Sequence, residues 1–496
     1  MRNIIAALLC LLSAVVSAQT EKYQMRAVWI ASVANVDWPS KSNLSVTEQQ
    51  NEMIGMLDRF KELNINAVVF QIRPASDALF VSSYEPWSLW LNGSGVAPSP
   101  FYDPLQFVIQ EAHARCIEVH VWLNPYRVSL DDTTMLCKEH PLFEHRDLIK
   151  KYGNRYFFDP GRDETRAYLN KIVADVVMRY DVDAVHFDDY FYPYKVGKLE
   201  FPDEDTYLAN PRGFAPDKRD DWRRNNVNLI ISELQQTIKG IKPWVDFGIS
   251  PFGVWRNFRT DPRGSKTTAG TTNYDDLYAD IRLWLESGMI DYVVPQLYWE
   301  IGKEVADYKE LIDWWCHNSF GRNLYIGLFA SGLKNQKGPA WNKGNELARQ
   351  MTLNKKYPQQ EGVFLYSARP LLKNPLGICD TLRNNYFRYP SLVPRHHGDM
   401  SLNLLRPQNV RVLSGENEKR LVWDETPASG GEKVAYYVIY AFKRNEKTNY
   451  NTSRNIIGKS AVPYFDLPDE YKSGKHVFAV TSVNRYRCES APSLAE

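Results

Sequence analysis

The feature that most constrains the fold is an alternation of short apolar runs with longer amphipathic segments, repeated eight times. The apolar runs, typical of buried parallel strands, cover residues 25–33, 67–72, 117–123, 182–187, 245–249, 290–296, 324–329 and 362–366. Helical periodicity follows each run; residues 45–63, for example, begin with the capping-box pair Ser45 and Glu48. Eight strand–helix units over residues 22–392 predict an α/β fold, a (β/α)8 TIM barrel. A doubly wound sheet is the alternative, although it would not usually need eight units.

A second, smaller domain is predicted after a proline-containing linker at residues 393–406. Beyond it the pattern changes to short alternating strands, and a closing SVNRYRCESAPS is typical of an all-β fibronectin type III-like sandwich over residues 407–496. Two positions depart from that pattern: Phe478 replaces the usual corner tyrosine, and Arg487 replaces a common turn glycine. Because few contacts usually cross such a linker, we expect the two domains to be separable.

The first 18 residues have the features of a secretory signal peptide. Arg2 provides the positive end, residues 4–16 the apolar run, and residues 16–18 (Val-Ser-Ala) a cleavage site. The run is too short to span a bilayer, and we predict no transmembrane segment. We therefore expect an exported monomer, periplasmic or secreted after removal of the signal peptide. A formal charge of +1 gives no reason to expect nucleic acid as a partner.

The segment VDAVHFDDYFYPY at residues 182–194 carries the strongest chemical signal. Asp188 and Asp189 directly follow an apolar run and precede a cluster of tyrosines. In a barrel, the carboxyl ends of the strands hold the active site, and paired carboxylates beside aromatic rings indicate glycoside hydrolysis. An isolated Asp-Asp pair is more often a helix cap or an arginine partner, so the other strand ends decide between the two interpretations.

Nearly every predicted strand is followed by amide, carboxylate, guanidinium or aromatic side chains, which suit a sugar-binding cleft. Asp188 is the first choice for the essential carboxylate and Asp189 the second. The candidates for the general acid are Asp77 and then Glu300, with Asp189 behind them. Adjacent strand residues point to opposite sides, so only one aspartate of the pair should face the mouth unless the strand has already ended. The candidate substrate-binding residues are Gln71, Arg73, Trp87, Asn124, Tyr126, Arg127, His186, Tyr192, Gln296, Tyr298, Trp299 and Arg369. His186 either orients Asp188 or is a buried structural histidine.

Several long stretches of this sequence resemble those of a known family. They are MRAVWIASVANVDWP at 25–39, QIRPASDALFVSSYEPWSLWLNGSG at 71–95, DPLQFVIQEAHARCIEVHVWLNPYR at 103–127, HFDDYFYP at 186–193, DWRRNNVN at 221–228 and DYVVPQLYW at 291–299. In them the chain resembles the glycosyl-hydrolase-like family 10, and it departs at Cys116, where members usually have a turn glycine. The resemblance implies a TIM barrel that acts on glycans, and some members are linked to peptidoglycan strands lacking stem peptides.

These observations predict an exported glycoside hydrolase of an amino-sugar polymer, with denuded peptidoglycan strands as the first choice of substrate. The alternatives are a non-hydrolytic glycan-binding barrel protein and a hydrolase of another polysaccharide. The chitinase-like DxxDxDxE pattern lacks its final Glu here, so retaining, inverting and substrate-assisted mechanisms all stay open. Widely spaced cysteines, and the lack of HExxH, GxSxG or P-loop motifs, lead us to expect no metal and no cofactor.

Overall fold

A computed structural model describes residues 22–131, 136–343, 345–395, 404–415, 418–427 and 433–496 of the chain. The predicted signal peptide at residues 1–18 and most of the predicted linker lie outside these described residues. None of the helices in the described ranges combines the length and the apolar character that a bilayer crossing requires.

Eight parallel strands close into a barrel, as the sequence pattern predicts. Up to residue 365 the strands are β1 (Met25–Ile30), β2 (Ala67–Arg73), β3 (Glu118–Leu123), β4 (Ile149–Tyr152), β5 (Arg155–Phe158), β6 (Ala184–Phe187), β7 (Asp246–Ile249), β8 (Tyr292–Val293), β9 (Asn323–Leu328) and β10 (Gln360–Leu365). β4 and β5 form a separate hairpin, and the barrel order is β1-β10-β9-β8-β7-β6-β3-β2. Because β1 pairs in parallel with both β2 and β10, the barrel is closed and the doubly wound alternative is excluded.

Helices follow the barrel strands and agree with most of the predicted helical segments. They are α1 (Val46–Glu62), α2 (Leu89–Asn92), α3 (Pro104–Ala114), α4 (Pro141–Glu144), α5 (Asp163–Arg179), α6 (Glu204–Ala209), α7 (Arg219–Ile241), α8 (Asn273–Asp276), α9 (Ile281–Glu286), α10 (Tyr308–His317), α11 (Pro339–Asn342), α12 (Glu346–Asn354), α13 (Ala368–Lys373) and α14 (Ile378–Thr381). The predicted capping box opens α1: the Ser45 hydroxyl accepts from the backbone N–H of Glu48, and the Glu48 carboxylate accepts from the backbone N–H of Ser45. The pattern of apolar residues thus predicts which segments are helical, and the caps predict where they start.

Two elements differ from the sequence prediction, and each difference has a local cause. The predicted helix over residues 274–287 is broken into α8 and α9. Tyr278 takes a left-handed backbone conformation (φ 52°), and the Asp280 side chain caps a new helix. The predicted strand over residues 290–296 is reduced to β8 followed by isolated bridges from Gln296, and Pro295 has no N–H to donate to a neighbouring strand.

A chain of polar side chains runs through the inside of the barrel. Tyr292 fills the centre beside Gly248, where an added Cβ would lie 1.9 Å from the tyrosine ring. The Tyr292 hydroxyl lies 3.0 Å from Nδ1 of both His120 and His186. Trp29 Nε1 donates to His186 Nε2 at 3.4 Å, so Nε2 is the acceptor and Nδ1 carries the proton. Burial holds the pKa of His186 well below its usual value, so this histidine is neutral and packs the barrel interior.

The residues after the linker form two antiparallel sheets, in agreement with the predicted all-β class. One sheet has the order β11-β12-β15 and the other β14-β13-β16-β17. The strands are β11 (Arg411–Ser414), β12 (Lys419–Val422), β13 (Val434–Lys443), β14 (Ile456–Ser460), β15 (Tyr464–Asp466), β16 (His476–Asn484) and β17 (Ser493–Leu494). A core that contains Trp423 and Phe478 joins side chains of the two sheets. β15 and β17 are too short to show a period-two pattern in the sequence.

Buried ion pairs join the C-terminal sheets to the N-terminal end of the barrel, so the expectation that few contacts cross the linker is wrong. Arg487 pairs with Glu118, the first residue of β3, at 2.8 Å, and with Asp246, the first residue of β7, at 2.7 Å. Arg485 pairs with Asp183 at 2.7 Å. The linker composition could not reveal these contacts, because the acidic partners lie more than two hundred residues earlier in the chain.

The two positions where glycine is usual, at Arg487 and Cys116, both lie at this contact. Their φ angles of 59° and 57° are in the left-handed region that glycine favours. The carbonyl oxygen of Cys116 accepts from Lys459 Nζ at 3.1 Å, and the Cys116 side chain packs in a cluster with Tyr436. The side chains at these turns therefore supply barrel–sheet contacts that glycine could not make.

Replacing Arg487 with glycine is expected to destabilise the protein by about 2 kcal/mol. Loss of the guanidinium from a buried ion pair costs about 3 kcal/mol, and relief of the left-handed backbone returns about 1 kcal/mol. The measurement is the free energy of unfolding in urea for the wild type and Arg487→Gly. A variant as stable as the wild type would show that the ion pairs do not hold the two parts together.

Candidate active site

Two carboxylates emerge together at the C-terminal end of β6. The strand ends at Phe187, so the alternation of side chains no longer separates the next two residues. Asp188 and Asp189 are both 5% exposed, and both accept hydrogen bonds from side chains of other strand ends. The sequence predicts that both aspartates can face the mouth only if the strand has ended before them. It ends at Phe187, and both aspartates lie at the barrel mouth.

Asp188 is held from the side of β3. Trp122 Nε1 donates to Asp188 Oδ2 at 3.0 Å, and Asn124 Nδ2 lies 3.0 Å from both carboxylate oxygens. Trp122 and Asn124 are two residues apart, so the period of a strand places them on the same, inward face. Neutral donors of this kind stabilise the ionised form of a carboxyl group.

Asp189 is held from the opposite side. Gln296, which follows β8, donates from Nε2 to Asp189 Oδ1 at 3.2 Å and to the backbone oxygen of Ser250 at 2.9 Å. The Tyr194 hydroxyl donates to the other carboxylate oxygen. Each aspartate thus has its own set of donors, and the two sets come from different parts of the barrel rim.

Electrostatics divide the pair into an anion and a proton carrier. Burial raises the pKa of Asp188, but the Arg127 charge and the donors from Asn124 and Trp122 act in the opposite direction. For Asp189, burial and then the negative charge of Asp188 raise the pKa to about 6. The two groups titrate as a coupled pair. Because Arg127 and the neutral donors favour the negative charge on Asp188, Asp189 is the carboxyl group of the two that takes up a proton more readily.

Aromatic rings extend from the carboxylate pair in a continuous row. Tyr194, which donates to Asp189, lies 5.4 Å from Tyr190 and 6.2 Å from Phe252 between ring centroids. Phe252 in turn contacts Trp299 at 5.2 Å. These rings come from the segments after β6, β7 and β8 and give the mouth flat apolar faces.

A second group of rings lies in the segments after β8, β9 and β10. Tyr298 stacks on Phe329 at 5.0 Å and contacts Tyr366 at 5.8 Å. Tyr366 follows β10, and its ring also contacts Trp29 inside the barrel at 6.1 Å. The carboxylates are therefore set among rings from five of the eight strand ends, an arrangement suited to stacking on sugar rings.

The other two predicted carboxylates have no described contact with the pair. Asp77 accepts from the backbone of its own loop after β2, and burial raises its pKa. Glu300 is half-buried in the loop after β8, with Oε2 3.9 Å from the place that a Cβ of Gly338 would take. Within the described residues neither side chain contacts Asp188 or Asp189. Of the predicted candidates for the general acid, Asp189 is the one that lies beside Asp188 at the end of β6.

Two predicted binding residues on β2 support the mouth from behind. Arg73 is fully buried and pairs with Glu85 at 2.5 Å, and its guanidinium also donates to the backbone oxygen of Asn124. Gln71 Oε1 accepts from the backbone N–H of Val33 at 2.9 Å. Arg73 thus fixes the backbone of Asn124, which contacts Asp188, and Gln71 fixes the loop after β1.

Four further predicted binding residues lie away from the carboxylate pair. Tyr126 and Tyr192 are fully buried in the main hydrophobic core. Trp87 contacts Phe101 on the loop after β2, at 6.5 Å between ring centroids. Arg369 is exposed, and its Nη2 donates to a backbone oxygen after β1 at 3.0 Å. Of the predicted set, the structure therefore gathers Asp188, Asp189, Asn124, Arg127, Gln296, Tyr298 and Trp299.

Several contributors to the mouth lie outside the predicted set, among them Trp122 and Tyr366. Both sit within or directly after apolar strands, where an aromatic residue suggests packing. The signal that could have identified them is the period of two: Trp122 precedes Asn124 by two residues, and Tyr366 follows the inward-facing Phe364 by two.

Replacing Trp122 with phenylalanine is expected to lower kcat/KM about 10-fold and to move the acidic limb of its pH profile to higher pH. The variant keeps the ring but removes an N–H that stabilises ionised Asp188, so the pKa of Asp188 rises. Catalysis that needs the Asp188 anion is then lost at a higher pH as the solution is acidified. An unshifted acidic limb would show that Trp122 only packs.

A closed parallel barrel with paired carboxylates and aromatic rings at the C-terminal strand ends has the architecture of a glycoside hydrolase. Residues 24–346 match the sequence model of the family described as Glycosyl hydrolase-like 10, and the chain belongs to that family. The match spans the segments that carry Asp188, Asp189 and their hydrogen-bond donors.

Two relatives extend this assignment. Glycosyl hydrolase YngK of Bacillus subtilis (strain 168) is 42% identical over 482 residues, which cover 96% of this chain and 94% of that protein. Glycosyl hydrolase DigH of Escherichia coli (strain K12) is 40% identical over 374 residues, 71% of this chain and 84% of that protein. Among solved structures, the PgaB (BpsB) glycoside hydrolase domain from Bordetella bronchiseptica overlaps 73% of this chain and 98% of that domain, at 14% identity and a TM-score of 0.49. This last similarity carries no argument about activity.

Proposed function

We propose that the protein is an exported glycoside hydrolase that cleaves glycosidic bonds of an amino-sugar polymer, with peptidoglycan strands lacking stem peptides as its substrate. The observation that carries the proposal is the buried Asp188–Asp189 pair, in which each carboxylate has its own hydrogen-bond donors. Membership of the Glycosyl hydrolase-like 10 family supports the hydrolase class.

In this proposal Asp189 is the general acid. Its pKa of about 6 keeps it protonated in mildly acidic solution and close to balance near neutrality, which suits a group that must give and regain a proton. Tyr194 and Gln296 hold the carboxyl group in one orientation. Proton transfer to the glycosidic oxygen turns the departing sugar into a neutral alcohol.

Asp188 supplies the negative charge. As the glycosidic bond breaks, positive charge develops on the sugar ring, and a fixed anion in a buried site stabilises that charge strongly. Asp188 fills this role as nucleophile, as base, or by orienting the N-acetyl group of the substrate. The anomeric configuration of the first product, followed by NMR, separates an inverting mechanism from the two retaining ones.

Export and the type of the C-terminal domain also belong to this proposal. The arrangement of three and four antiparallel strands supports a fibronectin type III-like sandwich. N-terminal sequencing of the protein recovered outside the cytoplasm tests export, and a chain that starts after Ala18 is the expected result. A recovered chain that retains Arg2 would contradict it.

A substrate panel tests the function. The purified protein is incubated with denuded peptidoglycan strands, with intact peptidoglycan, with chitin oligomers and with a glucan without amino sugars, and new reducing ends are counted. Preferred cleavage of denuded strands supports the proposal. Cleavage of the glucan alone indicates another polysaccharide as the substrate, and binding without cleavage indicates a non-hydrolytic glycan-binding protein.

A further inference from the structure

Arg127 lies at the barrel mouth, and its guanidinium is in no salt bridge within the part of the chain that the structure describes. The residue is only 6% exposed, yet no carboxylate of the described residues forms an ion pair with it. Arg73, its neighbour at the mouth, is paired with Glu85 instead. A nearly buried guanidinium usually has an anionic partner, because leaving the charge unpaired is costly.

The position of Arg127 is fixed from several directions. Its backbone N–H donates to Asn124 Oδ1 at 2.9 Å, and its backbone oxygen accepts from Ser76 at 3.0 Å. Nε donates to the backbone oxygen of Pro74 at 2.9 Å, and the guanidinium carbon lies 5.1 Å from the centroid of the Tyr190 ring. The two Nη groups have no hydrogen-bond partner among the described residues, so Nε and the backbone fix the position of the guanidinium while both Nη groups can donate to a ligand.

The charge of Arg127 lies close to the catalytic pair. It acts on Asp188, on Tyr190 and on Tyr366, which follow two different strands of the barrel. Asn124 connects the two sides of this arrangement, since its Nδ2 contacts Asp188 while its Oδ1 accepts from the Arg127 backbone. Asn124 and the charge of Arg127 therefore link the guanidinium to the same end of the barrel as Asp188.

We propose that Arg127 binds a carboxylate carried by the substrate sugar and thereby makes the enzyme prefer acidic amino-sugar strands to neutral ones. The inference rests on the proposed function and names a residue that determines its substrate preference. An N-acetyl sugar with a carboxylate-bearing ether on the carbon next to the acetamido group has the two groups in the required adjacency. Guanidinium and carboxylate groups pair through two parallel hydrogen bonds. Without Arg127, the substrate carboxylate would meet the negative charge of Asp188.

The test compares two substrates that differ only in charge. Denuded peptidoglycan strands carry a lactyl carboxylate on every second sugar, and mild chemical reduction turns these carboxylates into alcohols. The wild type is expected to prefer the acidic strand about 30-fold in kcat/KM, as for loss of one charged hydrogen-bonded pair. In Arg127→Gln the preference should fall to about 2-fold or less. Arg127→Lys, which keeps the charge but not the fork, should be intermediate.

A matched control is Arg388→Gln. Arg388 also lies over a tyrosine ring, at 5.4 Å from the centroid of Tyr389, but it follows the last barrel helices, and the Tyr389 backbone contacts Arg26 of β1. This control should keep the 30-fold preference. Because the charge of Arg127 also favours ionised Asp188, Arg127→Gln should lower the turnover of both the acidic and the reduced strands. Carboxylate binding is therefore measured by the ratio of kcat/KM for the acidic strand to kcat/KM for the reduced strand.

Two outcomes would overturn the inference while leaving the proposed function intact: equal cleavage of both strands by the wild type, or an unchanged preference in Arg127→Gln. Absence of cleavage of every glycan would instead contradict the proposed function. In that case Kd values for acidic and reduced oligomers, measured by calorimetry with the wild type and Arg127→Gln, decide the inference. A preference lost in the variant supports it, and equal Kd values for the two oligomers overturn it.

Discussion

Replacing Asp188 with asparagine is expected to reduce kcat at least ~10³-fold, equivalent to about 4 kcal/mol of transition-state stabilisation. The amide has the shape of the carboxyl group but cannot carry the negative charge that the mechanism requires. The measurement is the rate of cleavage of defined denuded glycan oligomers by the wild type and Asp188→Asn. The fold should persist, because burial raises the pKa of Asp188 and the ionised group is held at a cost to stability.

A control separates loss of charge from loss of structure in Asp188→Asn. Circular dichroism and the thermal midpoint should match the wild type, or the midpoint should be higher. Gln296→Glu is not suitable for comparison, because it would add a second charge beside Asp189. Glu300→Gln is a suitable control, since it removes a carboxylate from a nearby loop and should retain most activity. Near wild-type turnover by a folded Asp188→Asn would show that the catalytic centre lies elsewhere.

Replacing Asp189 with asparagine is expected to reduce kcat/KM about 10³-fold for natural glycans, because general acid catalysis contributes on this order. A substrate whose leaving group needs no protonation should recover much of the loss. The variant should also lose the basic limb of the pH profile. In the wild type, Asp189 donates only while protonated, so activity should fall as the pH rises through about 6.

Asp77→Asn serves as the comparison for the acid assignment. The sequence ranks Asp77 ahead of Asp189 as the general acid, but the Asp77 carboxylate accepts from its own loop and forms no hydrogen bond with Asp188 or Asp189 among the described residues. Asp77→Asn should destabilise the loop after β2. A substrate with an activated leaving group should not restore its kcat/KM. Rescue of Asp77→Asn together with no rescue of Asp189→Asn would reverse the assignment.

The sequence predicts the barrel well because its signals are local. Apolar runs of strand length, helical periodicity and the Ser45–Glu48 capping box each act over a few residues, and the observed strands lie within or beside the predicted ones. The Asp188–Asp189 pair is visible for the same reason, as it directly follows an apolar run. Closure of the barrel then brings the strand ends together.

The remaining site residues depend on partners that are distant in sequence. The sequence around Arg73 does not show that Glu85 forms its ion pair. The sequence around Arg127 does not show that none of the described carboxylates forms an ion pair with it. The direction of a tyrosine after a strand end is also set by the loop: Tyr194 turns to Asp189, whereas Tyr192 is buried in the core. The residue type at a strand end thus predicts that a side chain lies at the C-terminal end of the barrel. The loop geometry then decides whether that side chain contacts Asp188 or Asp189.

The C-terminal contact illustrates the same limit. Arg487 can be recognised as an unusual residue at a turn, but its acidic partners in β3 and β7 become visible only when the barrel has closed. The proline-containing linker suggested independence of the two parts, and the buried ion pairs contradict that expectation. The composition of the linker describes the linker itself and does not predict the contact between the barrel and the C-terminal sheets.

The most direct test of the account is mass spectrometry of the products that the purified wild type and Asp188→Asn release from denuded peptidoglycan strands. The wild type is predicted to release short amino-sugar oligosaccharides, each with one new reducing end. A folded Asp188→Asn is predicted to release at least ~10³-fold fewer of them in the same time. Intact strands after incubation with the wild type, or equal product from both proteins, would contradict the claim that this carboxylate pair cleaves the glycan.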